Sequence, residues 1–210
     1  MTTLFINGSS RTNGNTVAFG ERLLAGIPHT TLHLIDQHLN FDLDQRGTGQ
    51  PQRDTRDDYE ALMAQFAAAD DIVIGTPVYW YNMSGQLKTF MDRWFDSFTT
   101  GFDFAGKRVY LLVVGVDDPV NKATDIISKA LAESCDWLKM TYMGAATAIA
   151  DGPTDLQQQA TLPAEALKLR QALVTMTQSV SRETKSQPLL TTKGPVQPTF
   201  TVSGWDLLGF

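Results

Sequence analysis

This 210-residue chain has little of several features that would place it in common protein classes. Its only cysteine is Cys135, so an internal disulfide framework is excluded and a reducing compartment fits. Its apolar runs fall well short of the ~20 residues that a helix needs to cross a bilayer. The first six residues have neither the basic segment nor the long apolar segment of an export signal. We therefore expect a cytoplasmic protein that makes no membrane contact.

Positive charge is also scarce. The chain has 17 Lys and Arg against 23 Asp and Glu, with a formal net charge of −6 and an isoelectric point near 4.9. No basic stripe is present to neutralise phosphates, so a general nucleic-acid surface is excluded. The three histidines, His29, His33 and His38, lack the spacing of metal ligands. This favours surface or sheet-edge positions for them and predicts no metal site.

The chain does have a regular alternation of short apolar runs and amphipathic stretches. The predicted strands are residues 3–6, 30–35, 72–75, 109–114 and part of 140–149, and the predicted helices are residues 17–24, 57–69, 85–98, 122–138 and 162–181. Ser84 is placed to cap the third helix. Five βα repeats with right-handed crossovers predict an α/β fold, a doubly wound five-stranded parallel sheet with helices on both faces.

A sheet of this kind with the strand order 2-1-3-4-5 binds its ligand beyond the carboxyl ends of the strands, near the point where the order reverses. The loops after strands one, three and four should therefore build the site. We assign residues 1–182 to this domain. Residues 183–210 are rich in Pro and Thr and end in an apolar segment with Trp205, Leu208 and Phe210. They form either a tail or an arm that docks on this subunit or its neighbour.

The loop after the first strand, residues 8–16, is rich in Gly, Ser and Asn and leads into a helix. The N–H groups and the dipole at a helix amino end favour an anion there. Further donors are available on Ser9, Ser10, Arg11, Asn13, Asn15 and Thr16. Because the Walker A and dinucleotide-binding patterns are both missing, a phosphate monoester is the better candidate. The alternative is an ordinary polar loop in which Asn15 or Thr16 caps the helix.

The loop after the third strand, residues 75–85, contains three consecutive aromatic residues, Tyr79, Trp80 and Tyr81. Loops at strand ends are mostly exposed, and exposed aromatic surface is typical of a binding site. A planar heterocycle can pack on these rings, with its polar edge bound by the N–H groups of residues 78–82. The alternative is that one or two of the aromatic side chains cover the following helix.

Together these loops resemble those of the flavodoxin-like NAD(P)H-dependent FMN reductases and quinone reductases. Residues 8–16 resemble the family's FMN phosphate loop, and residues 76–94 resemble its isoalloxazine loop and following helix. The resemblance implies bound FMN, with NAD(P)H as co-substrate. It implies that the phosphate is held by Ser9, Arg11, Asn13, Asn15 and Thr16, and the ring by Pro77, Val78, Tyr79, Trp80, Tyr81 and Asn82.

The resemblance covers residues 3–182 and implies a homodimer with the ring site near the subunit boundary. The third family loop corresponds to residues 115–118, so Gly115 and Val116 are further expected contacts, although two aspartates follow them where the family has small residues. Some relatives carry an iron–sulfur cluster in the loop after strand two. This chain has no cysteine in that loop, so we exclude such a cluster.

The activity that the resemblance implies is an FMN-dependent oxidoreductase. It would pass two electrons from NAD(P)H to a small acceptor, such as a quinone, flavin, nitro or azo compound, by a ping-pong mechanism. Tyr79, Trp80 and Tyr81 would control substrate access, and no side chain is required as a catalytic acid or base. Two alternatives remain open, a flavodoxin-type electron carrier and a flavin-binding regulatory module, both without turnover of their own.

Overall fold

The computed structural model describes residues 1–42, 45, 47–50, 55–117, 119–159 and 161–186. The strands are β1 (Thr3–Asn7), β2 (His29–His33), β3 (Asp71–Pro77), β4 (Arg108–Gly115) and β5 (Thr141–Ile149). The helices are α1 (Asn15–Leu23), α2 (Tyr59–Ala68), α3 (Gly85–Asp92), α4 (Trp94–Thr99), α5 (Pro119–Trp137), α6 (Asp155–Gln158) and α7 (Ala164–Ser186), with a 3-10 turn at Leu34–Asp36. Strands and helices therefore alternate along the chain as the sequence predicts.

All five strands lie in one sheet, which is parallel throughout and has the order β2-β1-β3-β4-β5. The predicted fold class and strand order are confirmed. The order reverses at β1, which pairs with β2 on one side and with β3 on the other. The chain leaves β1 and β3 toward helices on opposite faces of the sheet, and this leaves a crevice between the two loops.

The sheet is apolar on both faces because helices cover both. Successive side chains of a strand point to opposite faces. Ile6 and Ile74 accordingly belong to one core cluster, which includes side chains of α2, α3 and α5. Phe5 and Val73 belong to a second cluster, which includes side chains of α1 and α7. Each buried side chain of this size stabilises the fold by about 1.5–3 kcal/mol, which holds the carboxyl ends of the strands in fixed positions.

The predicted helix over residues 85–98 is divided in two at Arg93. The Arg93 side chain is fully buried, donates to Asp57 Oδ2 at 2.6 Å and also forms an ion pair with Asp96. Its guanidinium lies 4.4 Å from the centroid of the Tyr59 ring. Asp57 and Tyr59 stand at the start of α2, so this buried ion cluster fastens the start of α2 to the α3–α4 junction.

The remaining differences lie at the ends of elements. Ser84 caps α3 as predicted, since its Oγ accepts from Leu87 N at 3.2 Å. β2 ends at His33 because the chain turns into the 3-10 segment, and the short helix α6 was not predicted. Residues 187–210, with the apolar end at Phe210, lie outside the described residues. Within the described ranges, no helix has the length and apolar content needed to span a membrane.

Candidate functional site

A cavity of about 290 Å³ opens at the carboxyl ends of the strands, where the loops after β1, β3 and β4 meet. Nine of the predicted site residues line it: Ser9, Arg11, Asn15, Thr16, Pro77, Val78, Tyr79, Gly115 and Val116. The other five, Ser10, Asn13, Trp80, Tyr81 and Asn82, belong to the same loops but are not part of its lining. The predicted phosphate loop and the predicted ring loop thus form two walls of one cavity.

The loop after β5, residues 150–153, forms a further wall that the sequence did not indicate. Asn15 holds it in place, because Asn15 Nδ2 donates to the Gly152 carbonyl at 2.6 Å and Asn15 Oδ1 accepts from Leu156 N at 3.0 Å. Gln157 Nε2 also donates to the carbonyl of Asn13 at 2.6 Å. Asn15 and Gly152 are 137 residues apart, so only the fold brings them together.

The amino end of α1 lies at this cavity without a side-chain cap. Gly14 occupies the N-cap position, and the first turn carries no acidic residue. In the part of the chain that the structure describes, the N–H groups of Asn15, Thr16 and Val17 have no hydrogen-bond acceptor. The alternative in which Asn15 or Thr16 caps the helix is therefore wrong. These N–H groups and the positive end of the helix dipole favour an anion at this position.

Arg11 brings a formal positive charge to the rim of the cavity. Its side chain is exposed, and the guanidinium has no ion pair or hydrogen bond to any residue in the described ranges. A Cβ atom at Gly14 would lie 3.1 Å from Arg11 Cβ, so glycine leaves room for the arginine stem. Ser9, two residues before Arg11, is buried, and its Oγ accepts from Arg11 N at 3.1 Å. Both side chains can therefore donate hydrogen bonds to an anion in the cavity.

Asn7 is a residue of this loop that the sequence analysis did not single out. It is fully buried at the end of β1. Its Oδ1 accepts from Ser9 N at 3.1 Å, and its Nδ2 donates to the Arg11 carbonyl at 3.2 Å. Gly8 N donates to the Gly75 carbonyl at 2.8 Å, which ties the same loop to β3. The sequence signal that could have identified Asn7 is a polar side chain at the last position of a buried strand.

The aromatic segment is the tip of a tight hairpin turn. Tyr79 N donates to the Asn82 carbonyl at 2.9 Å, and Asn82 N donates back to the Tyr79 carbonyl at 3.0 Å. The two central residues, Trp80 and Tyr81, have φ angles of 49° and 62°, in the left-handed region that glycine prefers. Trp80 is 97% exposed. The turn therefore presents its aromatic side chains to solvent, and they do not cover α3.

The hydrogen bonds of this turn occupy several of the N–H groups that the sequence analysis assigned to the edge of the ring. Those of Tyr79 and Asn82 are used inside the turn, and Val78 N donates to the Val114 carbonyl at 2.8 Å. Trp80 and Tyr81 are left as the turn residues whose N–H groups have no acceptor in the described part of the chain. The Tyr79 hydroxyl lies 3.3 Å from Ser10 Oγ, so the aromatic turn and the phosphate loop also contact each other directly.

Two glycines allow the walls of the cavity to approach one another. A Cβ atom at Gly75 would lie 2.8 Å from the methyl group of Thr16, which is buried where α1 packs on β3. A Cβ atom at Gly115 would lie 2.8 Å from Val120 Cγ2 and 3.2 Å from Val78 Cβ. Val116 follows it as an exposed residue at the rim. Any larger side chain at either glycine would push the loops apart.

The cavity fits a phosphate joined to a flat ring system. Unpaired N–H groups, Ser9 and the free guanidinium of Arg11 stand at one wall, and Tyr79 and Val78 stand at another. No cluster of three or more His, Cys, Asp or Glu residues that could hold a metal ion occurs in the described ranges. Cys135 lies in the core, where burial raises the pKa of its thiol to about 12, so it is not part of this site.

Known proteins with similar sequences and structures agree with this fit. The family described as NADPH-dependent FMN reductase matches residues 1–154. YwqN of Bacillus subtilis (strain 168), which carries a provisional name as an NAD(P)H-dependent FMN-containing oxidoreductase, is 27% identical over 159 residues, or 72% of this chain and 86% of that one.

Two solved structures show the same fold. The structure of RosB with bound 8-demethyl-8-formylriboflavin-5′-phosphate has a TM-score of 0.64 at 16% identity and covers 100% of this chain and 97% of that one. A WrbA-like flavodoxin from Agrobacterium tumefaciens has a TM-score of 0.54 at 16% identity and covers 87% of this chain and 97% of that one. The sheet order and these likenesses together establish the flavodoxin-like fold.

Proposed function

The chain belongs to the NADPH-dependent FMN reductase family, and from that premise we propose that it passes two electrons from NAD(P)H to a small organic acceptor by a ping-pong mechanism. The predicted cofactors, FMN with NAD(P)H as co-substrate, are confirmed by the family. The acceptor class is a quinone, a flavin, a nitro compound or an azo compound. The observation that carries the proposal is the single cavity that joins an uncapped helix end to an exposed aromatic turn.

At the polar wall, the N–H groups at the start of α1 and the guanidinium of Arg11 hold the phosphate of FMN. Ser9 donates its hydroxyl proton to the same phosphate. Ser10 is a further donor from the same loop, with its Oγ 3.3 Å from the Tyr79 hydroxyl. Thr16 supplies its N–H group at the helix start, where its side chain is packed against β3. Asn15 acts on the cofactor through its backbone N–H group, because its side chain is committed to the loop after β5. Asn13 is a further proposed contact of the phosphate from the same loop.

At the other wall, residues 77–82 and the pair Gly115 and Val116 hold the ring. When bound, FMN would supply two-electron chemistry between the nicotinamide and the acceptor. The N–H groups of Trp80 and Tyr81, which have no acceptor in the described part of the chain, would donate to the polar edge of the ring and favour negative charge there. The exposed side chains of Tyr79, Trp80 and Tyr81 restrict access to the ring and stack on flat substrates.

The test is reduction of the bound flavin by each nicotinamide. The purified protein is loaded with FMN, mixed anaerobically with NADH or NADPH, and then mixed with a quinone, a nitro compound or an azo dye. We expect rapid loss of the flavin absorbance with a nicotinamide and its return with an acceptor. Steady-state rates at several concentrations of both substrates should give the parallel reciprocal plots of a ping-pong mechanism.

The alternatives predict different outcomes. An electron carrier or a regulatory module would bind FMN but would show no rapid loss of absorbance with either nicotinamide. A protein that stays colourless in excess FMN and does not quench FMN fluorescence would contradict the whole proposal.

We also propose that the protein is cytoplasmic and forms a homodimer. The single cysteine supports a reducing compartment. The nearly complete exposure of Trp80 beside the cavity supports a second subunit near the site. Light scattering of the FMN-loaded protein during size-exclusion chromatography should give twice the mass of 23.1 kDa, whereas the mass of one chain would contradict the dimer.

A further inference from the structure

The register of the sheet places a histidine beside the buried asparagine of the phosphate loop. Asn7 of β1 is paired with His33 of β2, each at the carboxyl end of its strand. Asn7 Nδ2 lies 3.0 Å from His33 Nδ1. His33 is partly buried and does not line the cavity, so it has no place in the site described above.

The orientation of the Asn7 amide is fixed by its backbone partners. Its oxygen faces the N–H group of Ser9, and its nitrogen faces the carbonyl oxygen of Arg11. A reversed amide would set two donors against each other at Ser9 and two acceptors against each other at Arg11. Asn7 Nδ2 therefore points its second proton at His33.

The orientation of the Asn7 amide also fixes the tautomer of the His33 imidazole. Because the group that faces His33 Nδ1 is an NH₂ donor, Nδ1 must be the acceptor, and the ring proton must lie on Nε2. His33 then completes the hydrogen bonds of an amide that has no exposure to water. Without that acceptor, one proton of a buried NH₂ group would be left unpaired, and the amide would be free to turn away from the loop.

We propose that Asn7 and His33 are positioning residues that hold the phosphate loop in its FMN-binding shape. His33 fixes the Asn7 amide, and the amide fixes the backbone of Ser9 and Arg11, the two residues whose side chains face the phosphate. The inference rests on the proposed function, because it assigns the network to the phosphate end of FMN. It predicts that a change at His33 weakens the binding of the phosphate and spares that of the ring.

The test compares FMN with riboflavin, which has the same ring and no phosphate. Dissociation constants of both flavins are measured by fluorescence quenching on the apoprotein. For His33→Leu, we expect the constant for FMN to rise about tenfold, as for a hydrogen bond lost from a buried network, and that for riboflavin to change less than about twofold. For His33→Asn, the new amide oxygen lies near the former Nδ1 position, so FMN affinity should return to within about twofold of the original.

His29→Leu is the matched control, because His29 lies at the other end of the same strand and bonds to Glu21 and the Ile27 carbonyl. It should change neither constant. If His33→Leu does not fold, His33→Gln replaces it, because the longer side chain carries its oxygen past the Nδ1 position. The inference is overturned if FMN binding by the Leu or Gln variant is unchanged, or if FMN and riboflavin weaken equally. A wild-type protein that binds no FMN would instead refute the proposed function.

Discussion

Arg11 and Arg93 show how differently one residue type is used in this chain. Arg11 is exposed and has no partner in the described part of the chain, although it stands at the rim of a cavity. Arg93 is fully buried and bonds to two carboxylates. A free guanidinium gains most from a ligand, because it has no internal ion pair to give up. Arg93 contributes to stability instead.

Replacing Arg11 should therefore affect the cofactor and not the fold. For Arg11→Ala, we expect FMN binding to weaken by about 1.5–3 kcal/mol, the usual contribution of a hydrogen bond to a charged group. Riboflavin binding and the thermal midpoint should stay as they are, because the side chain makes no internal bond. Fluorescence titration of the apoprotein measures both affinities. Unchanged FMN affinity would remove Arg11 from the phosphate site.

The turn at Trp80 carries strain that glycine would relieve. An L-residue in the left-handed region costs about 1–2 kcal/mol, and the Trp80 side chain, which is 97% exposed, regains little of it by packing. For Trp80→Gly we expect the free energy of unfolding of the apoprotein to stay the same or rise by about 1 kcal/mol. The value of kcat/KM with an aromatic acceptor should fall several-fold.

Urea unfolding and steady-state kinetics measure the two effects of Trp80→Gly. Trp137→Ala is the control, since Trp137 is also exposed but ends α5 just before β5, at the amino ends of the strands, whereas the cavity lies at their carboxyl ends. It should leave kcat/KM unchanged. Unaltered turnover in Trp80→Gly would mean that the strained turn has no part in substrate access.

At the scale of elements, the buried cluster at the α3–α4 junction holds the helix that follows the ring loop. Burial opposes the charge on Arg93, but its bonds to Asp96 and Asp57 outweigh that effect and raise the pKa of Arg93 above its ordinary value. Burial also raises the pKa of Asp96, against the influence of Arg93. Removal of the cation would leave Asp57 and Asp96 buried without their common partner.

The Arg93→Ala variant should lose about 3–5 kcal/mol of unfolding free energy, as measured for broken buried ion pairs. Lys88→Ala on the same helix is the control. Lys88 forms an exposed ion pair with Asp92, so its loss should cost less than about 1 kcal/mol. Urea denaturation of both variants at neutral pH checks the difference. Equal losses would show that burial of the Arg93 cluster contributes nothing specific.

The elements themselves could be predicted from sequence because their signals are local. Hydrophobic period, glycine-rich loops and the Ser84 cap all lie within one element and its flanks, and the structure confirms them. The break at Arg93, the bond from Asn15 to Gly152 and the pairing of Asn7 with His33 depend on partners far away in the chain. No local pattern distinguishes a buried arginine from an exposed one, so those parts of the site emerged only from the fold.

At the scale of the whole molecule, each face of the sheet buries a group that ionises in alkali. Cys135 lies in the cluster under α5, and Tyr110 lies in the cluster under α1 and α7. Both side chains are fully buried. Burial raises the pKa of Cys135 to about 12 from an ordinary 9.0, and burial followed by the charge of Asp71 raises the pKa of Tyr110 to about 12 from an ordinary 10.0.

The sign of the resulting pH dependence follows from proton binding. The unfolded chain releases these protons above pH 9 and 10, whereas the folded chain keeps them to about pH 12. The folded state therefore binds more protons in this window, and its stability falls as the pH rises. Below pH 9 the contribution of both groups is fully present, and above pH 12 it is lost.

Cys135→Ala should flatten this alkaline loss. Between pH 8 and pH 11, the variant should lose about 2 kcal/mol less unfolding free energy than the wild type, from the shift in the thiol pKa alone. The change with pH is the quantity to compare, because the smaller side chain also leaves a cavity that lowers stability equally at every pH. Tyr110→Phe should remove a further part of the alkaline loss of unfolding free energy, and only at pH values above 10. Urea unfolding in matched buffers measures both slopes, and identical slopes in wild type and Cys135→Ala would show that the thiol reaches solvent and ionises in the folded protein.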